Sequence, residues 1–340
     1  MSQKHILVLG SGSAGKRHMR NFASLGCRIS AMDPRRDRLE EAAGLVELAN
    51  CFTTLDEALR KSEEFDGIVV ASPPKYHVPQ CIEFLKLSIP VLLEKPVATD
   101  LADAIKLKDL DQHMLQTKLL VGYTYRWWPP IDILLQKLQD GHIGKPLYAD
   151  FVMSAHLADW HPWEKYQDFF MSSKDLGGGA LLDESHFIDL MIRFFGMPSK
   201  IFATIEHLSS LEIETDDNVD ILAFYDDNFR VRIHLDLYGR PHEKYIKITS
   251  EKGTLFWSFE PNMIKMGLNM NREWQEMKFQ IERNDMFLNM AKDFIHLLNG
   301  HKAPLCTFED GLKALHVIEA CRRSSADEKP VYLNRLKDGS

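Results

Sequence analysis

Cysteine is scarce in this sequence, with five in 340 residues. Cys27, Cys51, Cys81, Cys306 and Cys321 are scattered and odd in number, and none form a Cys-x-x-Cys pair. That pattern excludes a disulfide framework or a cysteine zinc site and fits free thiols in a reducing compartment. Several lie among apolar neighbours and read as small core fillers. A surplus of positive charge is also missing. The 41 Lys and Arg against 49 Asp and Glu leave a net charge of −8, which argues against a nucleic-acid partner, because phosphate binding needs clustered cations. No run approaches the roughly 18 consecutive apolar residues of a membrane span. Met1-Ser2-Gln3-Lys4 leads straight into a strand pattern at His5–Leu9, so no secretory leader is expected and the expected location is cytoplasmic. Internal repeats and low-complexity tracts are absent as well.

What is present is the balance of a soluble globular protein, 45% hydrophobic and 26% charged, at a length that suits two domains. From His5 to Tyr123, short apolar runs alternate with amphipathic stretches. The runs are ILVLG (6–10), RISAMD (28–33), GIVVAS (67–72), VLLEK (91–95) and KLLVGY (118–123). One intervening helix opens with a capping-box signature, Thr54 and Glu57. Another is expected from Thr99 or Asp100 to about His113. Strands alternating with helices specify a doubly wound parallel sheet, here a Rossmann-type α/β domain over residues 1–123. The rhythm then changes. Over 124–340 the expectation is a second α/β domain with a largely antiparallel, open-faced sheet. Its elements are a helix (Ile131 to Gln139), strand-like runs at 146–155, 201–208, 219–227, 229–239 and 245–259, one helix from Ala180 to Phe195, and two closing helices (Asp285 to Leu298, Glu309 to Arg323). Arg230 to Leu237 alternates polar and apolar residues, the mark of a sheet with one packed face.

GSGSAG (10–15) follows the first strand and opens a helix, and a second strand ends at Asp33, eighteen residues beyond Gly15. In that context the motif reads as a dinucleotide-binding loop. Gly10 permits the tight turn, Gly12 the close approach of a pyrophosphate, and Gly15 close helix–strand packing. The helix start at Ser13 and Ala14 offers N–H groups and a positive dipole end. Asp33 can accept both ribose hydroxyls of an adenosine, which favours NAD; Arg35, following at once, leaves NADP possible. Ala71, Ser72, Pro73 and His77 follow another strand, and Glu94-Lys95-Pro96 closes the VLLEK run, where ligands of parallel sheets bind. These positions complete the expected cofactor contacts, with Lys95 at the nicotinamide.

GGGALLDESHFIDL (177–190) spaces Asp183, His186 and Asp189 by three, which puts them on one face of a continuous helix. A histidine flanked by carboxylates suits general acid/base work. No further ligand cluster accompanies them, so no metal is expected. Residues 156–170 (HLADWHPWEKYQDFF) carry Trp160, Trp163 and Tyr166 in a long irregular stretch. Such rings can cover the apolar faces of a sugar, or simply pin the loop. Tyr125, Arg126 and Trp127 are expected at the same substrate site, with Arg126 facing a phosphate or carboxylate.

Together GSGSAG, SPPKYH (72–77), EKP (94–96), GYTYRWWPP (122–130), GHIGKP (141–146) and GGGALLDESHFID (177–189) resemble the Gfo/Idh/MocA oxidoreductases over nearly the whole chain. The resemblance implies pyridine-nucleotide chemistry on sugars, cyclitols or sugar nucleotides, and an open sheet used for dimerisation, so a homodimer or homotetramer is expected. It also implies Lys95 as the lysine of the EKP motif, His186 as the catalytic histidine and Asp183 as the nearby carboxylate. In many members that aspartate stands four residues before the histidine, and here the gap is three. Two other activities fit the same motifs: an NAD-retaining glycosidase working through transient oxidation, and a non-catalytic nucleotide sensor. Retention of Lys95 and His186 speaks against the sensor.

Overall fold

The computed structural model describes residues 3–160, 165–268, 273–301 and 303–333. In chain order the elements are β1 (His5–Leu9), α1 (Ser13–Ser24), β2 (Arg28–Met32), α2 (Arg36–Ala43), β3 (Leu48–Phe52), α3 (Leu55–Leu59), β4 (Gly67–Val70), α4 (His77–Lys86), β5 (Val91–Glu94), α5 (Leu101–Ile105), α6 (Gln112–Lys118) and β6 (Leu119–Gly122). Then follow α7 (Pro129–Gln139), β7 (Pro146–Ser154), α8 (Ala180–Asp183), α9 (His186–Phe195), β8 (Lys200–Glu206), β9 (Asn218–Phe224), β10 (Arg230–Asp236), β11 (Glu243–Ser250), β12 (Gly253–Ser258), β13 (Met263–Leu268), β14 (Gln275–Lys278), α10 (Arg283–Leu298), α11 (Phe308–Asp327) and β15 (Val331–Tyr332).

The chain forms two compact units, each drawn from two stretches of sequence. The first unit comprises 1–127 with 283–312, the second 128–282 with 313–340. Helix α10 joins the first unit because its apolar face packs there: Phe294 meets Phe22 edge-on at 6.0 Å, and Gly67 leaves the space that Phe294 and Leu298 fill.

In the first unit, six parallel strands run in the order β3-β2-β1-β4-β5-β6. Ile6, Leu7, Val8 and Leu9 are fully buried, as are Ile68, Val69 and Val70, which is the apolar run expected of strands covered on both faces. The capping box at Thr54 forms: its Oγ accepts from Glu57 N at 3.2 Å, and the Glu57 carboxylate accepts from Thr54 N at 3.1 Å. Strand β3 is not legible as a run, because LANCF sits at the sheet edge and buries only Phe52. The helix expected from 99 to 113 is instead α5, a short 3-10 turn and then α6. The cause is Asp111, whose carboxylate accepts from Met114 N at 2.8 Å and starts a new helix.

In the second unit, nine strands run β14-β13-β12-β11-β7-β10-β9-β8-β15, antiparallel except for the parallel pair β7–β10. On one face, Val231, Ile233 and Leu235 are buried, and Phe151 packs edge-on against Phe187, Phe194 and Phe195 of the helix beneath. The opposite face mixes charged side chains with apolar ones, among them the exposed Phe202 and Tyr148. Arg232 forks onto Asp150 at 2.7 and 3.1 Å, and His234 lies between Asp220 (2.9 Å) and Asp236 (3.1 Å). Hydrogen bonds to both aspartates push the His234 pKa up to about 9 against the desolvation of its partial burial. The segment 245–259 is a hairpin rather than one run, since β11 turns at 251–252 to pair with β12.

Candidate functional site

In the first unit the order of strands reverses between β1 and β4, which opens a crevice at their carboxyl ends. The three glycines have distinct geometric duties there. Gly10 has φ of +91°, and a Cβ would lie 2.7 Å from the Ala71 carbonyl oxygen. A Cβ on Gly15 would lie 1.8 Å from the Gly10 carbonyl oxygen, so α1 lies directly against the loop. Gly12 differs: the nearest atom to its Cβ position is Arg38 Nη1 at 3.9 Å, so what a side chain would fill is open space. Gly12 also N-caps α1 without a side chain, and the first turn holds no acid. The N–H groups of Ser13, Ala14 and Gly15 therefore face outward at an uncompensated positive helix end. This cradle fits a dinucleotide pyrophosphate.

Asp33 is 4% exposed. Its Oδ2 accepts from Ser11 N at 2.7 Å and its Oδ1 from Arg35 N at 2.9 Å. One carboxylate thus shapes the glycine loop and the turn after β2, and its remaining lone pairs suit ribose hydroxyls. Arg35 is half-exposed and pairs with Asp37.

Four segments meet around Lys95. Ala71 N donates to Leu9 O at 2.8 Å, closing β4 onto β1. Ser72 Oγ donates to Gln80 Oε1 at 2.7 Å, and Pro73 leads into the turn before α4. His77 is buried, with Nδ1 2.7 Å from Pro96 O and Nε2 2.8 Å from Ser72 O. Burial lowers its pKa despite these two carbonyls, so near neutral pH the ring carries one N–H and serves one of them at a time. Glu94 Oε1 lies 2.7 Å from Nε2 of the buried His18. Burial alone would raise the Glu94 carboxyl, but the hydrogen bond from His18 leads the interactions that bring it below the ordinary range. His18 is a residue that sequence reasoning misses; its signal is a histidine three residues past the last glycine of the motif.

The turn at 124–127 belongs to this unit, with Tyr125, Arg126 and Trp127 buried. Arg126 is not a cation turned outward to a substrate phosphate or carboxylate. Its Nη1 lies 3.1 Å from Asp310 Oδ2 and 3.3 Å from Leu305 O. Trp127 Nε1 donates to Asp293 of α10 at 3.2 Å. These contacts pin the turn to the C-terminal helices.

In the second unit the helix expected from 180 to 195 is broken. Asp183 ends α8 and His186 begins α9, with Glu184 and Ser185 buried between them and Ser185 Oγ turned back onto Leu182 O at 2.7 Å. Asp183, His186 and Asp189 therefore do not form one helical stripe. Asp189 is 1% exposed and belongs to the core, whereas Asp183 and His186 are half-buried. The start of α8 is fixed by Asp216, another residue missed from sequence. Its carboxylate accepts from Leu181 N at 2.8 Å and fills the space beside Gly179, whose φ is +108°. Burial raises the Asp216 pKa, partly offset by that N–H. Trp160 Nε1 is buried with no acceptor among the described residues. Tyr166 pins its own loop, its hydroxyl accepting from Glu212 N at 3.3 Å. Trp163 lies outside the described residues. Among the described residues no cluster of three metal-ligating side chains occurs, and no helix is long and apolar enough to cross a membrane.

A nucleotide-binding Rossmann unit with a mixed-sheet α/β unit defines a class of two-domain oxidoreductases. Residues 4–123 match the oxidoreductase family's NAD-binding Rossmann fold, and residues 136–333 match its C-terminal alpha/beta domain. The chain belongs to the Gfo/Idh/MocA oxidoreductase family. Inositol 2-dehydrogenase of Corynebacterium glutamicum (strain R) is 28% identical over 143 residues, which cover 41% of this chain and 42% of that protein. The chain thus spans under half the length of the first curated relatives it matches. Myo-inositol 2-dehydrogenase of Thermotoga maritima is 25% identical over 97% of this chain and 99% of its own. Levoglucosan dehydrogenase in complex with NADH and L-sorbose shares the fold, with a TM-score of 0.86 at 16% identity over 98% of this chain and 100% of that one.

Proposed function

We propose that this protein is an NAD-dependent dehydrogenase that oxidises a secondary hydroxyl of a sugar or cyclitol. The observation that carries the reading is the carboxyl edge of the first unit's sheet, where α1, which opens the cradle at Gly12, is tied by His18 at 2.7 Å to Glu94, the neighbour of the half-buried Lys95. The relatives that act on inositol and levoglucosan support the substrate class. Bound NAD supplies the hydride acceptor. The chain has to hold the alcohol oxygen, take its proton and exclude water. His186 takes the proton, Lys95 steadies the oxygen as negative charge develops, and Asp183 orients the imidazole. The indole N–H of Trp160 is a donor for a sugar hydroxyl, and Trp163 and Tyr166 complete the aromatic segment. Asp33 favours NAD over NADP, since a 2′-phosphate meets like charge and Arg35 is engaged by Asp37. The open face of the nine-stranded sheet is the surface for a homodimer or homotetramer, and the scattered free thiols fit a cytoplasmic setting.

The test is a carbohydrate panel including myo-inositol, levoglucosan and a UDP-amino sugar, incubated with NAD or NADP and followed by absorbance of the reduced cofactor. Net reduction of NAD with one member supports the reading. Release of a glycoside's leaving group without net reduction favours the NAD-retaining glycosidase. Tight NAD binding with neither activity, across a broad panel, favours the sensor.

A further inference from the structure

Lys95 sits between two neighbours that are each tied down by a buried imidazole. On one side, the Glu94 carboxylate meets His18 Nε2 at 2.7 Å. On the other, Pro96 O meets His77 Nδ1 at 2.7 Å, and the same ring reaches Ser72 O at 2.8 Å. His18 and His77 are each 1% exposed. The His18 contact spans 76 residues of sequence and ties α1 to the end of β5. It is possible because Gly15 lets α1 lie directly on the glycine loop. Gly122, paired with Glu94 across β5 and β6, leaves room for the second carboxylate oxygen, 3.3 Å from where a Cβ would be. Nδ1 of His18 is buried without a partner among the described residues. The tautomer with its proton on Nε2 therefore serves Glu94 and leaves only a lone pair bare, whereas a proton on Nδ1 would be a buried donor with no acceptor.

An apolar residue at position 18 would fill the helix–sheet contact at lower desolvation cost. A buried His–Glu pair immediately before the lysine instead fixes the rotamer of Glu94 and the path of the backbone into Lys95. It also couples that path to the helix whose first turn forms the cradle. We propose that His18 is a positioning residue for the reaction: through Glu94 it sets the placement of the Lys95 amine, with His77 fixing the far side of the same loop. This rests on the reading of Lys95 as a reacting group, and the test separates the two.

The intact chain is labelled with a small amine-reactive acylating agent at fixed pH. The rate at Lys95, relative to the other lysines, is read by peptide mass spectrometry for wild type, His18→Ala, His18→Gln and Glu94→Ala. The His18→Gln variant supplies an amide N–H of similar reach, so it should keep the Lys95 rate within about twofold of wild type. His18→Ala and Glu94→Ala should each raise it about threefold to tenfold as the loop loosens. With a substrate from the panel, kcat should fall about tenfold or more in those two variants, and KM should change less than threefold. If His18→Ala does not fold, Glu94→Ala carries the comparison alone. Wild-type labelling of Lys95 in every variant, with only thermal stability reduced, would overturn the proposal and leave the pair a structural clip. Altered labelling combined with normal turnover by Lys95→Ala would leave the positioning intact and remove Lys95 from the chemistry.

Discussion

Replacing Asp33 is the obvious way to test cofactor preference, and the geometry says the result will have two parts. The carboxylate is buried and accepts from Ser11 N at 2.7 Å and Arg35 N at 2.9 Å. Hydrogen bonds to a charged group contribute roughly 1.5–3 kcal/mol each. Asp33→Ala strands both donors, although Arg35 N sits where water can reach it, so its loss should cost about 2–4 kcal/mol of stability in the absence of cofactor. Asp33→Asn keeps one acceptor oxygen and should cost about 1–2 kcal/mol. The second part is electrostatic. A carboxylate beside a 2′-phosphate at about 4 Å and an effective dielectric of 20–40 costs roughly 2–4 kcal/mol, or about 30- to 1,000-fold in affinity. Asp33→Asn removes that repulsion while preserving most of the loop. It should therefore narrow the NAD/NADP affinity ratio more cleanly than Asp33→Ala, which weakens both cofactors by disordering the cradle. Urea denaturation without cofactor and fluorescence titration of both cofactors measure the two parts separately. Unchanged stability in Asp33→Ala would refute the bracing role, and an unchanged ratio in Asp33→Asn would refute the selective one.

Other outcomes follow from the same geometry. Lys95→Ala and His186→Ala should each lower turnover about 10²–10⁴-fold while NAD still binds; single-turnover kinetics decide it, and Asp183→Asn should lose less, since the role proposed for it is only to orient. Gly12→Ala meets nothing closer than 3.9 Å and should fold normally yet bind NAD poorly. Gly15→Ala puts a Cβ 1.8 Å from Gly10 O and should lose about 3 kcal/mol or more as well as binding; melting curves and NAD titration distinguish the two. The His234 pKa, raised from 6.5 to about 9, makes this histidine stabilising fully below pH 6.5, with the contribution lost as pH rises through about 9. A shift of that size is about 3 kcal/mol, which solvent screening of the half-exposed Asp220 reduces to roughly 1–2 kcal/mol. Denaturation midpoints of wild type and His234→Gln should therefore differ at pH 6 and converge by about pH 10.

The parts legible in sequence were those set by local rules. The glycine spacing, the Thr54 capping box and the alternation in β10 all appear in the structure at the positions their residues indicated. What was illegible depended on partners far along the chain or on a competing local cap. Asp111 interrupted a helical pattern, because a short polar side chain can satisfy backbone groups at a break as well as a continuing helix can. Arg126 read as a ligand for an anion until Asp310, 184 residues away, supplied the anion internally. The assignment of α10 to the first unit depended on Gly67 leaving room for Phe294, which no periodicity in α10 itself reveals.

The distribution of buried polar groups in the first unit has a physical logic. Strands β1 and β4 are wholly buried and, past His5, wholly apolar, and hydrophobic contact is non-directional, so it fixes the sheet without fixing any particular atom beyond its end. A hydride-transfer site needs reacting groups held to fractions of an ångström. That precision has to come from directional bonds at the carboxyl edge, and there the buried Asp33, His18 and His77 lie, with Glu94 beside them. Each is desolvated at a cost to stability, which is tolerable because their partners are backbone N–H and carbonyl groups or one another rather than water. The residues proposed to carry the chemistry can be named from a motif, whereas the ones that hold them still are recognised by whom they touch. His18 and Glu94, 76 positions apart, are the instance on which the Lys95 labelling experiment bears most directly.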